Sequence, residues 1–128
     1  MYDKNSLAAA GSTGNTTHDG LRVGGTYETI AVEFVVEAVG SSPTVTWKVQ
    51  ATVADPDVDD ADANWYDLGY ITDASDAISQ TALTATAVGA QIIFLSNPVA
   101  RRFQRFRLVT SSNTNVTYHA DLYRIAAD

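Results

Sequence analysis

The chain has 128 residues, enough for one domain with a buried core, and its 15 acidic and 8 basic residues give a net charge of -7. The absence of cysteine excludes disulfide bonds and thiolate metal sites, and no apolar run approaches the roughly 20 residues of a membrane-spanning helix. The first residues lack the basic and then apolar layout of a signal peptide, so we expect neither export nor a membrane partner. An acidic chain is also a poor ligand for nucleic acid, whose binding needs a basic surface.

The first 25 residues differ from the rest, because Gly, Ser, Thr and Asn dominate them and no regular period holds. Such a segment has too little apolar surface to order itself. We therefore predict an extended N-terminal arm over residues 1–25, ordered on binding, and a β-sandwich domain over residues 26–128. A frayed chain end is the alternative for the arm. The arm side chains expected to bind are Tyr2, Lys4, Leu7 and Leu21.

Strict alternation of apolar and polar residues follows the arm and is clearest over residues 44–53. Trp47 and Val49 would face one side there and Lys48 the other, which is the pattern of a strand with one buried and one solvated face. Turn residues separate about seven such segments at roughly 10-residue spacing, which predicts an all-β fold, an antiparallel β-sandwich of Ig-like or jelly-roll-like type. The predicted strands are residues 30–38, 44–53, 65–71, 81–88, 91–95, 102–110 and 116–125.

Five aspartates crowd residues 55–62, and the first three are spaced like the start of a calcium loop. An EF-hand loop needs Gly at its sixth position and Glu at its twelfth, where this chain has Asp60 and Tyr66. We expect a solvated acidic loop without a tight calcium site. Calcium binding in another geometry stays open as the alternative.

The histidines do not indicate catalysis. His119 and Asp121 lie two residues apart on one predicted strand, which makes a pair and not a triad, and no serine stands in the context of a nucleophile. We expect a protein that is not an enzyme, with no catalytic residue, no metal and no cofactor.

Four aromatic residues in the middle of the chain could form a platform for a sugar. Aromatic rings stack on the apolar faces of sugars, so a carbohydrate- or host-surface-binding module displayed on a virion is the alternative function. Core packing is the stronger interpretation, because Trp47 lies on the apolar face of its strand. The four residues are Trp47, Trp65, Tyr66 and Tyr70.

Half of the basic residues fall within residues 101–107, although residues 1–100 hold 13 acids and only three bases. The cluster could be a solvated strand edge, where basic side chains oppose aggregation. It could also be a docking patch for an acidic protein surface. The candidate docking residues are Arg101, Arg102, Arg105 and Arg107.

Five features together resemble the capsid cement, or decoration, proteins of tailed bacteriophages. They are the opening Met-Tyr-Asp-Lys, an arm rich in Gly, Ala, Ser and Thr, the strand Thr-Val-Thr-Trp-Lys-Val-Gln at residues 44–50, an Asp-rich loop, and the strand Arg-Phe-Gln-Arg-Phe-Arg-Leu at residues 102–108. The resemblance covers most of the chain as a pattern. The length of the loop at residues 55–62, which resembles an insertion, is the departure from it.

The resemblance implies a small β-rich domain that docks on the outside of a phage shell and clamps neighbouring subunits of the major capsid protein. It also implies a homotrimer with extended termini and no catalytic residues. The expected location is the outer capsid surface of a virion assembled in the cytoplasm of the host bacterium.

Overall fold

The computed structural model describes residues 2–22, 29–55, 57–72, 74–95, 103 and 105–125. These residues form antiparallel strands and one short 3-10 helix, and they include no helix long and apolar enough to cross a membrane. The elements are β1 (Tyr2–Ser12), β2 (Leu21–Arg22), β3 (Thr29–Thr52), η1 (Asp60–Asp62), β4 (Tyr66–Asp67), β5 (Tyr70–Thr72), β6 (Ser75–Ser79), β7 (Leu83–Ala85), β8 (Gly89–Leu95) and β9 (Arg105–Ile125).

The nine strands of the described residues belong to one hydrogen-bonded sheet in the order β1-β9-β3-β8-β5-β6. Three short strands lie off this path, since β2 pairs with β9 and both β4 and β7 pair with β3. Every pairing is antiparallel. The prediction of an all-β antiparallel fold is confirmed, although the strands are more numerous than predicted and two of them are much longer.

The two long strands run side by side through a corner. β3 has 24 residues and β9 has 21, and they pair from Thr29↔Ile125 at one end to Thr52↔Arg105 at the other. The sequence predicted turns at residues 40–43 and 111–115, which would have split each strand in two. The structure has register shifts and positive φ angles there instead, because bulged residues bend a paired ladder without ending it.

The corner folds the sheet over on itself. The rings of Phe34 and Trp47 stack with centroids 4.8 Å apart, and Phe34 also stacks on Tyr118 at 5.0 Å. Phe34 and Trp47 belong to one strand, in which thirteen straight residues would separate them by about 43 Å. The two halves of β3 and β9 therefore face each other as two layers, and we call these three rings the aromatic stack.

Side chains of alternate residues fill the space between the layers. Trp47 is fully buried, and its Nε1 donates to Gln91 Oε1 at 2.7 Å, which satisfies its polar atom. The alternation fails at the corner, where Ala38 is exposed, and just after the end of β3, where Val53 is exposed. The buried residues of β3 are Ile30, Ala31, Val32, Phe34, Val36, Val45, Trp47, Val49, Ala51 and Thr52.

The N-terminal segment is part of the sheet, which corrects the prediction of a loose arm for residues 2–22. β1 pairs with β9 from Tyr2↔Ile125 to Ser12↔Tyr118, Thr17 bridges to Val109, and Leu21 pairs with Phe106. The segment thus follows β9 along its whole length. Leu7 is only 4% exposed and belongs to the core.

The physical reason for the error lies in the edge position of β1. Backbone hydrogen bonds to β9 order this strand, and its bulges between Ser6 and Ala8 and between Ala8 and Ser12 interrupt the alternation of side chains. A strand held in this way needs few apolar residues, so its composition does not reveal it. Residues 23–25 of the predicted arm lie outside the described residues.

Candidate functional site

The acidic loop folds back onto the outer face of the sheet, where a carboxylate meets a buried arginine. Asp60 Oδ1 lies 2.6 Å from Arg105 Nη1, and Asp60 Oδ2 accepts a hydrogen bond from the backbone N–H of Gly20 at 2.6 Å. Arg105 is only 7% exposed. One carboxylate therefore joins the loop, β9 and the N-terminal segment.

Trp65 completes this contact. Its Nε1 donates to the carbonyl oxygen of Asp60 at 2.9 Å, and the guanidinium carbons of Arg107 and Arg105 lie 4.1 and 5.7 Å from its ring centroid. Such distances allow cation–π attraction. Gly20 lies against the same ring, since a Cβ there would come within 2.8 Å of Trp65 Cη2. We call Gly20, Asp60, Trp65, Arg105 and Arg107 the clasp.

Polar contacts extend from the clasp across the outer face. Arg107 donates from Nε and Nη2 to Gln50 Oε1 at 2.9 and 2.8 Å, and Gln50 Nε2 donates to Asp67 Oδ1 at 2.9 Å. Lys48 Nζ lies 3.2 Å from the same Asp67 oxygen. The hydrogen bond from Gln50, helped by Lys48, lowers the pKa of Asp67 below its ordinary value. These residues form one continuous polar network with the clasp.

The two described arginines of the predicted docking patch have different surroundings. Arg105 is buried and paired with Asp60, so it is not the exposed side chain that the docking hypothesis expected. Arg107 is half-buried, and burial lowers its pKa while the charge of Asp60 partly offsets the shift. Both contact Trp65, as expected of residues two apart on one strand face. Arg101 and Arg102 lie outside the described residues.

The residues predicted to bind through the arm are used within the fold. The backbone of Tyr2 pairs with Ile125, and Lys4 Nζ lies 3.8 Å from Asp121 Oδ2. Leu7 is buried, and Leu21 packs partly buried against the core. A docking role for these four residues remains a prediction.

The acidic loop is anchored and not wholly solvated. Asp57, Asp59 and Asp62 are exposed, but Asp60 neutralises Arg105. In the part of the chain that the structure describes, no group of three or more His, Asp or Glu side chains is arranged to hold a metal ion. The expectation that calcium does not bind tightly stays a prediction, to be tested in solution.

His119 lies near two carboxylates, and one of these also contacts β1. Its Nδ1 lies 3.3 Å from Glu37 Oε2, and its Nε2 lies 3.9 Å from Asp121 Oδ2. Glu37 Oε2 also accepts a hydrogen bond from the backbone N–H of Gly11 at 2.8 Å, and this contact above all lowers the pKa of Glu37. The sequence placed His119 and Asp121 together, and the structure adds Glu37 and shows that the group ties β1 to the sheet.

His18 has a structural role that the sequence pattern does not indicate. Its Nε2 lies 2.7 Å from Tyr118 Oη, which lies 2.9 Å from Thr110 Oγ1. Thr110 Oγ1 also receives a hydrogen bond from the backbone N–H of Thr16 at 3.0 Å. Burial lowers the pKa of His18 below 6.5, although Asp19 acts in the opposite direction. A single histidine in a Gly- and Thr-rich segment carries no signal of such a network.

The aromatic residues do not form the sugar-binding platform of the alternative function. Trp47 and Tyr70 are buried in the core, and Trp65 stacks on Arg107. Tyr66 remains 53% exposed. A hollow of about 490 Å³ does open at the corner, but its walls are small or neutral side chains such as Thr13, Val39 and Asn113, without a charged group.

Comparison with known proteins identifies the fold. No family model matches the chain, and no curated protein matches it. Among solved structures, it is similar to the crystal structure of the SPBc2 prophage-derived protein YomS, with a TM-score of 0.60 and 11% sequence identity. The match covers 96% of this chain and 94% of that one. The two chains therefore share a fold over nearly their whole lengths.

Proposed function

We propose that this chain is a non-enzymatic virion structural protein, a capsid cement protein that docks on the outside of a phage shell. It bridges neighbouring subunits of the major capsid protein as a homotrimer. The observation that carries the proposal is the fold shared with a prophage-derived protein over 96% of the chain. The sequence resemblance to cement proteins supports it independently.

The architecture suits this role. A cement protein must hold its own shape while the joints beneath it are pulled apart. Here the N-terminal segment pairs with both ends of β9, and β9 pairs with both halves of β3. The clasp and the aromatic stack also tie together parts of the chain that are far apart in sequence. Many symmetry-related copies then add weak contacts that act together through multivalency.

The test is decoration of purified shells. Undecorated shells of the parent phage are mixed with the purified chain and sedimented, and bound copies are counted by gel densitometry. We expect binding that saturates at a fixed number of copies per shell and raises the temperature at which the shells break. The chain alone and already decorated shells are the controls.

A chain that stays in the supernatant at every concentration would contradict the proposal. If the chain does bind, a cryo-electron microscopy map of the decorated shell locates the bound copies and their symmetry. Density on the outer surface across joints between subunits is the expected result, and density inside the shell or at the tail would contradict it.

A further inference from the structure

We propose that Arg107 is a recognition site for a carboxylate side chain of the major capsid protein, whereas Arg105 only holds the fold together. The inference rests on the proposed function and names the chemistry of its contact. The two guanidinium groups are occupied in different ways.

The hydrogen bonds of Arg107 leave one edge of its guanidinium open. A guanidinium has five N–H donors, two of which point sideways from Nε and Nη2. On Arg107 this side edge is filled by Gln50 Oε1. The end edge, formed by Nη1 and the second N–H of Nη2, has no partner among the described residues. That edge matches the two oxygens of a carboxylate.

The open edge is held rigidly. Trp65 lies against the face of the guanidinium, and its own ring is fixed by the hydrogen bond to the Asp60 carbonyl. Gln50 is fixed in turn by Asp67. A donor pair that is already oriented loses little conformational freedom when a ligand binds, which favours affinity.

The charge of Arg107 is also available. Four described basic residues, Lys4, Lys48, Arg105 and Arg124, each have a carboxylate within 4 Å, but Arg107 has none in the described part of the chain. Asp60 lies near Arg107, and Asp67 is hydrogen-bonded to Gln50, the side chain that Arg107 contacts. Both carboxylates would repel a polyanion such as nucleic acid. A single carboxylate on a protein surface needs only the one open edge, so it is the ligand that fits.

The first test uses a short oligoglutamate peptide as the probe and the full chain labelled with nitrogen-15. We expect the side-chain Nε signal of Arg107 and the indole signal of Trp65 to shift as peptide is added, and the signal of Arg105 to stay in place. The Arg107→Lys variant identifies the Arg107 signal, and oligoglutamine is the control peptide. Signals of Arg107 that do not move, or equal shifts at the exposed Arg22, would overturn the inference.

The second test uses undecorated shells. Arg107→Lys keeps the charge but loses the paired donors, so it should weaken binding by roughly 10- to 100-fold, as expected for a lost charge-assisted contact. Arg22→Lys is the matched control and should bind like the wild type. Circular dichroism and the unfolding midpoint of each variant show that the fold is kept.

The outcomes separate this inference from the proposed function. If the wild type binds shells and Arg107→Lys binds equally well, the docking role of Arg107 is wrong while the cement function stands. If the peptide moves the Arg107 signal but neither the wild type nor any variant binds shells, the carboxylate site stands and the shell is the wrong partner.

Discussion

The aromatic stack and the clasp hold the molecule together by opposite means. The aromatic stack brings Phe34, Trp47 and Tyr118 together in the buried core, where burial of apolar surface favours the folded state. The clasp takes Arg105 out of water and compensates the loss with the carboxylate of Asp60. Apolar contacts tolerate imprecise geometry, whereas a buried charge is stabilised only while its partner is present. The two regions should therefore respond differently to substitution.

Removing one ring of the aromatic stack should have the largest effect. Trp47→Ala deletes a fully buried ring, and we expect the free energy of unfolding to fall by ~3–5 kcal/mol, as in other large-to-small core changes. Lys48→Ala, one residue along the strand, should stay within ~0.5 kcal/mol because its ion pair is exposed. Chemical denaturation of both variants measures the difference, and equal losses would mean that the two faces of β3 are assigned wrongly.

Breaking the clasp from its acidic side should come next. Asp60→Asn leaves Arg105 buried without a counter-charge, and we expect a loss of ~1.5–3 kcal/mol. The value stays moderate because the side chain of Asp60 is itself 32% exposed. Asp62→Asn, in the same loop, is the control and should stay within ~0.5 kcal/mol.

A double variant sharpens this result. Asp60→Leu combined with Arg105→Met removes both charges, so it should cost less than Asp60→Asn alone, since the penalty of an unpaired buried charge disappears. Urea unfolding of the wild type, Asp60→Asn and the double variant measures the three free energies of unfolding. A double variant that is less stable than the single one would show that the clasp stabilises through more than charge compensation.

Crowding the clasp should have a somewhat smaller effect. A Cβ at Gly20 would lie 2.8 Å from Trp65 and 2.9 Å from Asp60 Oδ1, so Gly20→Ala forces the ring or the carboxylate to move. We expect a loss of ~1–3 kcal/mol, typical of overpacking. Asp19→Ala, the exposed neighbour, should have little effect, and indole fluorescence of Trp65 should change only in Gly20→Ala. An unchanged stability would mean that the loop can retreat freely.

Acidification should loosen the N-terminal segment through His18, with the smallest of these effects. The folded-state pKa of His18 lies below 6.5, so the unfolded chain binds more protons between the two values. Its contribution to stability is therefore full above pH 6.5 and falls as the pH drops below that value. Glu37 and Asp67 titrate lower, because their folded pKa values lie below 4.5 and 3.8.

The effect of His18 can be measured separately, because Glu37 and Asp67 titrate at lower pH. Unfolding free energies between pH 7.5 and pH 5.5 should decline for the wild type and stay flatter for His18→Gln, which cannot titrate there. Parallel curves for the two proteins would show that His18 keeps its ordinary pKa.

The interior of this fold could be predicted from the sequence, and the clasp could not. Alternation of side chains put Trp47 and Val49 on the buried face of β3, because a strand forces neighbours to opposite sides. The same rule placed Arg105 and Arg107 on one face, where both reach Trp65. The alternation of side chains could not identify the partner of Arg105, because Asp60 is one of five similar acids in a loop that follows no period.

The corner and the N-terminal strand were missed for a related reason. Turn residues at 40–43 indicate a change of direction, but they do not distinguish a hairpin from a bend in a paired strand. β1 is ordered mainly by its backbone pairing with β9, and backbone hydrogen bonds leave no mark on composition. Local pattern thus shows which face is buried, whereas the pairing of distant segments depends on the whole chain.

The place of β9 between β1 and β3 has a consequence for how the protein is made. β9 is the last of the described strands, and it pairs with β1 and with both halves of β3. During synthesis β1 and β3 therefore lack the strand that lies between them until residues 105–125 have left the ribosome. Pairings so distant in sequence fold slowly and leave strand edges exposed meanwhile. The two longest of the described strands, β3 and β9, can therefore pair only after residues 105–125 have been made.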